Sequence, residues 1–457
     1  MHPSSEDRFP SLTSGNLWNN IWQLSWPIFL IMIFNFFVGI TDIYVAGLIN
    51  PDVQAVVGFI SQIYFLNIII ANAISIGTLA LIARAIGAQN SERATEIARQ
   101  SLVFSGLIAI CLTLLGLTFA EQIIILAGFP PSIRLMSEQF LKVFALSLGP
   151  NYILIISNAV FRASGDIKKP LITMALVSAF NIAGDFALVF GLFSLPRLGY
   201  IGIAVSTALS VTAGMSANLI FFKSRRWKSI YSGPWLLSLS MIKKVFKISW
   251  PAALLQIAWN AGSIVLYNIL GKLGGSSISA LASLTNGLRI EAIIYLPAFA
   301  MNMAASVLLG QNLGAGNAER AEQIGWKIAF AGTILISVMS LVIFIWAEPI
   351  ASLFTRDTDV LHETVRYLRI NMFSEPFMAL SVILGGGLQG AGDTKGTMWI
   401  IVVSMWFIRL PLAYLLTLVL DYGATGAWVA MITSMCVQGL LMTWRFHSGH
   451  WKNLQIE

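Results

Sequence analysis

Charge is what this sequence is short of. Only 11% of its 457 residues are Asp, Glu, Lys or Arg, against 57% hydrophobic. A soluble chain carries about 25% charged residues to hydrate its surface. A chain this poor in charge must face lipid, so its ruler is about 20 apolar residues per span rather than a soluble domain length. Cysteine is almost missing. Cys111 and Cys436 each sit inside an apolar segment, which excludes a disulfide framework and gives no metal-ligand spacing. The four histidines (His2, His362, His447, His450) fall in tails and a loop, so they support neither a zinc centre nor a histidine relay within the membrane. No Gly-x-x-x-x-Gly-Lys-Ser/Thr loop occurs, which argues against a nucleotide-driven pump. The first sixteen residues, with Glu6, Asp7 and Arg8, are too polar for a cleavable leader, so the first apolar segment is expected to stay as a span.

What the chain has is long apolar runs. They fall near 20–47, 55–82, 97–119, 138–161, 170–192 and 200–222, then near 248–270, 280–309, 324–346, 367–388, 396–418 and 424–444. Backbone in lipid must satisfy its own hydrogen bonds, and runs this long and continuous do so as helices rather than as barrel strands. The expected fold is all-α: a polytopic membrane protein of 12 transmembrane helices in two pseudo-symmetric six-helix bundles, 1–222 and 248–457, joined by a basic linker, 223–247. The net charge of +7 does not point to nucleic acid. Lys223, Arg225, Arg226, Lys228, Lys243, Lys244 and Lys247 crowd into the linker with no acid among them, which reads as a cytoplasmic loop able to touch anionic headgroups. Arg84, Arg93, Arg99, Arg162, Lys168, Lys169, Arg320 and Lys395 fall on the same side. Opposite them are Arg134, Arg197, Lys272, Arg356 and Arg366. The imbalance predicts a multi-pass protein of the cell membrane with both termini cytoplasmic.

The second half repeats the first. Ser25-Trp26-Pro27 returns as Ser249-Trp250-Pro251, Gly87-Ala88-Gln89-Asn90-Ser91-Glu92-Arg93-Ala94 as Gly314-Ala315-Gly316-Asn317-Ala318-Glu319-Arg320-Ala321, and Gly165-Asp166-Ile167-Lys168 as Gly392-Asp393-Thr394-Lys395. The offsets are 224, 227 and 227 residues. Six spans per copy keep the orientation, so the halves should be related by an axis along the membrane normal, with a shared cleft between bundles that rock. The two later motifs read as tight turns, the first running into a helix with an asparagine near its N-cap. Pro27 and Pro251 occupy matching places in the first span of each half, where a missing N–H permits bending.

Acids inside the spans carry the chemistry. Asp42, Asp185, Glu291 and Glu375 all lie in apolar segments, where an aspartate at the bilayer centre costs about 2.5–3.5 kcal/mol on insertion scales. Removal from water disfavours the charged form of a carboxyl, so a buried aspartate can take up a proton; with neighbouring oxygens it can instead hold sodium. Asn181 and Asp185 are four apart and share a helix face. Asn158, Thr207 and Thr41 are further oxygen donors. Glu291 and Glu375, the latter beside Pro376 in a broken helix, are candidates for contact with a cationic substrate or for a cavity lining. Arg409, before Leu410-Pro411, is a candidate partner for any of these acids.

With these features the chain resembles the multidrug and toxic compound extrusion (MATE) family. Ser-Trp-Pro, Thr41-Asp42 with Gly47, Gly310-Gln311-Asn312-Leu313-Gly314-Ala315-Gly316-Asn317 and Arg409-Leu410-Pro411-Leu412 are similar to its signatures. The resemblance implies that Asp42, Asn158, Asn181, Asp185 and Thr207 match the N-terminal-half cation site of DinF-type members. NorM-type members place a glutamate in span seven and an aspartate in span ten; this chain reads Gln256-Ile257-Ala258-Trp259-Asn260 in span seven, without an acid, and carries Glu375 in span ten. It further implies no enzyme activity and no cofactor. The implied protein is a monomeric antiporter in the bilayer, exchanging H+ or Na+ for drugs and organic cations by alternating access. Two alternatives share some of these features. A lipid-linked oligosaccharide flippase needs a more cationic cavity than Arg289 and Arg409 provide. An intramembrane aspartyl protease would use Gly390-Ala391-Gly392-Asp393, but Asp393 has a repeat twin in Asp166 at a similar turn.

Overall fold

The computed structural model describes residues 12–224 and 226–456. The polar start with His2, Glu6, Asp7 and Arg8, and Arg225 of the basic loop, lie outside the described residues. The elements are helical, with no strand among the described residues. The helices are α1 (Leu17–Ile49), α2 (Pro51–Gly87), α3 (Ser91–Thr118), the short α4 (Ala120–Leu126), α5 (Pro131–Ala163), α6 (Lys168–Phe190) and α7 (Ile201–Phe221). There follow α8 (Leu239–Gly271), α9 (Ser277–Gly314), α10 (Ala318–Ile345), the short α11 (Ala347–Ser352), α12 (Thr358–Asn371), α13 (Glu375–Gly390), α14 (Thr394–Val402), α15 (Leu410–Tyr414) and α16 (Gly423–His447).

Among the described residues, eleven helical stretches are long and apolar enough to cross a membrane. The twelfth crossing is the tenth span, expected as one segment over 367–388 and found broken into α12 and α13. The break has a simple cause: Pro376 is tolerated only in the first turn of a helix, where no N–H is needed, so the chain restarts at Glu375. The eleventh span is continuous but irregular. It passes from α14 into two wider π-helical stretches, Val403–Arg409 and Leu415–Val419, with α15 between them. Extra residues per turn of this kind re-aim side chains and recur at functional sites.

By contact, the chain forms two compact units, Trp26–Ser249 and Thr13–Ser25 with Trp250–Ile456. The boundaries fall inside α1 and α8, at Ser25-Trp26 and Ser249-Trp250, immediately before Pro27 and Pro251. Both helices run through their proline without a break, each leaving the carbonyl four residues earlier without its helical donor.

In the first unit, Asn50 caps α2 by accepting from Val53 N (2.8 Å), and Asn90 caps α3 by accepting from Arg93 N (2.9 Å). The turn expected before Asn90 is present: Gln89 has φ 57°, and its repeat counterpart Gly316 has φ 77°. Asn317 holds the matching N-cap position of α10, with no capping bond from its side chain. The second turn motif behaves alike, with Gly165 at φ 80° and Gly392 at φ 93°. Glycine occupies three of these four left-handed positions because it pays no Cβ penalty there. The basic linker is strapped to α3. Arg99 donates to the carbonyls of Ile230 and Ser229 (both 3.0 Å), while Gln100 donates to Leu236 O (2.8 Å) and accepts from Ser238 N (2.9 Å).

In the second unit, Asp393 caps α14 through Gly396 N (3.2 Å) and takes two bonds from Arg445, at 2.8 and 3.1 Å. Its twin Asp166 pairs with Lys169 at 3.0 Å. The Gly-x-Gly-Asp sequence is therefore accounted for as a helix start tied to α16. Asp393→Ala is expected to lower stability by about 1–3 kcal/mol, the cost of leaving charged partners unmet, which a fall in the thermal melting temperature against the parent protein would show.

Candidate functional site

The first unit gathers its acids where two helices nearly touch. A Cβ on Gly184 would sit 2.5 Å from Ser206 Oγ, and one on Gly202 would sit 2.9 Å from the backbone of Leu188 and Val189. Glycine at both points lets α6 and α7 approach closely, as small residues do in membrane bundles. Asp185, next to Gly184, is thereby pressed fully out of solvent, as is Asn181 one turn earlier (both 0% exposed). Asn181 donates to Thr207 Oγ1 (3.2 Å), and its backbone carbonyl accepts from Ser206 Oγ (2.8 Å). That bond uses the Ser206 hydroxyl, which also lies within side-chain reach of Asp185.

Asp42 comes in from α1, within side-chain hydrogen-bonding reach of both Asp185 and Asn181. Ser178 helps hold α1 there by donating to Phe34 O (3.2 Å). Around this point four buried oxygens have no hydrogen-bond partner among the described residues: Asp42 Oδ1, both Asp185 oxygens and Asn181 Oδ1. Buried polar atoms are almost always paired, because an unpaired one costs about 1–3 kcal/mol and a charged one more. Two carboxylates side by side cannot satisfy each other, since both only accept. The arrangement calls for a positive species between them: a proton, giving a donor, or a hard cation taking oxygen ligands.

Of the candidates, Asp42, Asp185, Asn181 and Thr207 are brought together. Asn158 is engaged elsewhere. Its Oδ1 accepts from Asn218 Nδ2 (2.9 Å) and its amide points at Met174 Sδ (3.6 Å), while Asn218 also donates to Ser157 Oγ (2.7 Å) and accepts from Thr173 Oγ1 (2.7 Å). Asn218, fully buried, is a residue the sequence reading did not single out. The signal was there: Ser206, Ser210, Gly214 and Asn218 recur every four positions along α7, a polar and small-residue stripe on an apolar helix. Tyr64 was also missed. It feels the charge of Asp42, and its hydroxyl accepts from Asn151 Nδ2 (2.6 Å) and Ser147 Oγ (3.3 Å).

The second unit has its own buried charges. Glu291, Glu375 and Arg409 are each under 5% exposed, whereas Arg289 lies on the exposed face of α9. Arg409 is thus the one buried base of the two expected deep in the spans.

Comparison with known proteins agrees with this architecture. The family model MatE matches residues 27–187 and 251–415, more than half of the chain and one block in each half. The "Probable multidrug resistance protein NorM" of Thermotoga maritima is 28% identical, covering 92% of this chain and 89% of its own. "Uncharacterized transporter YisQ" of Bacillus subtilis is 25% identical, with 94% of each chain covered. Among solved structures, "MATE transporter ClbM in complex with Rb+" superposes with a TM-score of 0.86 at 23% identity, over 96% of this chain and 98% of that one. "Crystal structure of MATE in the bent conformation" does so at 0.85 and 20%, over 96% and 97%. Two matched blocks, one per repeat, place the family beyond the reach of a chance motif, and the chain belongs to the MatE family.

Proposed function

We propose that the protein is a secondary active multidrug efflux transporter of the cell membrane, exchanging H+ or Na+ for amphiphilic, often cationic compounds by alternating access. The similarity to a relative named as a probable multidrug resistance protein supports the substrate class. One observation carries the coupling: the four partnerless buried oxygens of Asp42, Asp185 and Asn181. With a proton or sodium ion bound, the pair is compensated and α1 is held against α6. Without it, two carboxylates repel in a medium of low dielectric, and the α1 segment that bears Asp42 is pushed away from α6. Pro27, already lacking one helical bond, is where that helix bends most cheaply. Both termini are assigned to the cytoplasm by the lysine and arginine bias of the loops, and the protein is read as a monomer without a cofactor. The flippase reading loses ground because, of Arg289 and Arg409, the two bases expected deep in the spans, Arg409 is buried and Arg289 is exposed.

The test is dye efflux from proteoliposomes under proton and sodium gradients imposed separately. Efflux driven by one of the two is expected. Efflux indifferent to both, at a rate the purified protein nonetheless accelerates, would refute ion coupling.

A further inference from the structure

Between α7 and α8 the first unit carries a segment that the coupling pair does not use. It starts on a buried aromatic anchor. Trp227 is 1% exposed and packs edge-on against Phe222 (ring centroids 6.0 Å apart) and Phe161 (6.5 Å). Lys169 lies over the Phe161 ring, 4.9 Å from its centroid, and donates to Ser224 Oγ at 3.2 Å. A single 3-10 turn, Lys228–Ile230, follows, with Ile230 buried. The next stretch is bound to α3 through its backbone: Arg99 holds the carbonyls of Ser229 and Ile230, and Gln100 holds Leu236 O and Ser238 N. A Cβ on Gly233 would overlap the Arg99 guanidinium, so the strap lies flat on that side chain. Tyr231 OH donates to Leu219 O, near the end of α7.

Tied down in this way, the segment holds its apolar side chains outward. Trp235, Leu236, Leu237 and Leu239 are 44%, 81%, 46% and 71% exposed. Backbone groups of Leu236 and Ser238 are spent on Gln100, so these side chains cannot be drawn in without releasing the strap. Positive charge surrounds them. Lys223, Lys228, Lys243 and Lys247 are exposed, Arg226 and Lys244 half-buried, and residues 222–249 hold no Asp or Glu. Leu239, Lys243, Phe246 and Lys247 follow the spacing of one face of α8, and all four are exposed. Glu92 and Glu96 open the adjacent α3, beside Arg93, so the local excess stays positive. Lysines interleaved with tryptophan and leucine suit the membrane–water boundary, where the apolar groups enter the acyl edge and the ammonium groups stay among the headgroups. A soluble acidic partner would match the charge alone.

We infer that residues 227–247 form a docking surface for anionic lipid headgroups of the cytoplasmic leaflet. Trp235, Leu236 and Leu237 enter the headgroup boundary, and Lys228, Lys243 and Lys247 lie against the anionic groups. Basic residues in a loop would by themselves only orient the chain in the membrane. The strapped backbone adds a fixed display of charge and apolar groups together, so the surface selects among lipids as well as between leaflets.

Quenching by brominated lipids tests this on the full-length protein in bilayers. Cys111→Ala and Cys436→Ala remove the chain's two thiols, and Ser240→Cys, exposed in the first turn of α8, takes a fluorescent label. Bromine quenches such a label only at close range. At equal mole fraction, brominated phosphatidylglycerol should be preferred over brominated phosphatidylcholine by about 5-fold or more, the factor that one lysine near an anionic surface gives. Lys228→Gln, Lys243→Gln and Lys247→Gln together should abolish the preference, and raised salt should reduce it in the parent. Trp235→Ser with Leu236→Ser should weaken quenching by both lipids alike. All five side chains are exposed, so these variants should melt like the parent. Equal quenching by the two lipids in the parent, or a preference that survives the triple variant, would overturn the inference. So would quenching by neither lipid, which would leave this surface to a soluble acidic partner. No transport is read, so failure of this inference and failure of ion-coupled export would be seen separately.

Discussion

Asp185→Asn is expected to give a folded protein whose gradient-driven efflux falls to the leak of protein-free vesicles. The two side chains have nearly the same shape, and the site is fully buried between α6 and α7, so packing against Gly184 and Ser206 is preserved. What changes is charge. Asparagine is neutral at every pH, so it neither attracts a cation nor repels Asp42 when the cation leaves. The two states between which the gradient would do work are merged into one. Removing an uncompensated buried charge also lowers a cost of folding, so the melting temperature should hold or rise while activity disappears. That opposite movement separates a coupling role from a structural one. Thr207→Ala should act more mildly: it removes one neutral oxygen and leaves the Asn181 amide short of a partner, a loss of about 1 kcal/mol. Full gradient-driven efflux by Asp185→Asn at unchanged stability would contradict the assignment.

The second large effect concerns stability. A Cβ at Gly390 would stand 2.1 Å from Ser306 O, and one at Gly386 would stand 2.4 Å from Asn302 O. These two glycines, four apart on α13, form a flat strip on which the α9 backbone rests. Asn302 seals the strip by donating to Val382 O at 2.6 Å. Gly390→Ala forces the helices apart and should cost about 1–3 kcal/mol, and Gly390→Val should abolish the folded protein. Gly385→Ala is the internal control. Its Cβ would meet Met442 at an ordinary 3.5 Å, so it should melt like the parent. Equal melting of the Ala variants at 385 and 390 would show that the close approach does not matter. Glu375 starts this same α13, so loss of the strip should also disturb the buried charges of the second unit.

The spans were legible because lipid imposes length and apolarity on every crossing, and the repeat was legible because turns need particular residues. Gly165 and Gly392 are both left-handed, which is why Gly-Asp-x-Lys appears twice. The matching of Asn181 with Asp185 followed from a four-residue spacing, and Asp42 from the bare cost of a carboxylate in an apolar run. Three-dimensional neighbours were harder. Asn158 has the right chemistry and the family resemblance in its favour, yet its side chain is bonded to Asn218, a choice set by which faces of α5 and α7 meet. Glu291 was visible as an acid, but nothing in the sequence ties it to Tyr367, 76 residues away. The break between α12 and α13 was foreshadowed by Pro376. The π-helical stretches that aim Arg409 inward leave no such mark, because widening a turn needs no special residue. The glycine strip on α13 was not singled out from the sequence, although Gly386-x-x-x-Gly390 is a spacing that membrane helices use for close contact.

One small cation, held between Asp42 and Asp185, is expected to be exchanged for substrate. The exchange is tested most directly by loading proteoliposomes with a dye substrate, imposing no ion gradient, and following the ion that the dye gradient drives the other way. Proton or sodium movement opposite to the dye is expected, in a fixed ratio to the dye moved, and lost together with dye exchange in Asp185→Asn. Dye movement with no opposing ion flux, or an ion flux that persists unchanged in that variant, would rule out exchange at the Asp42–Asp185 pair.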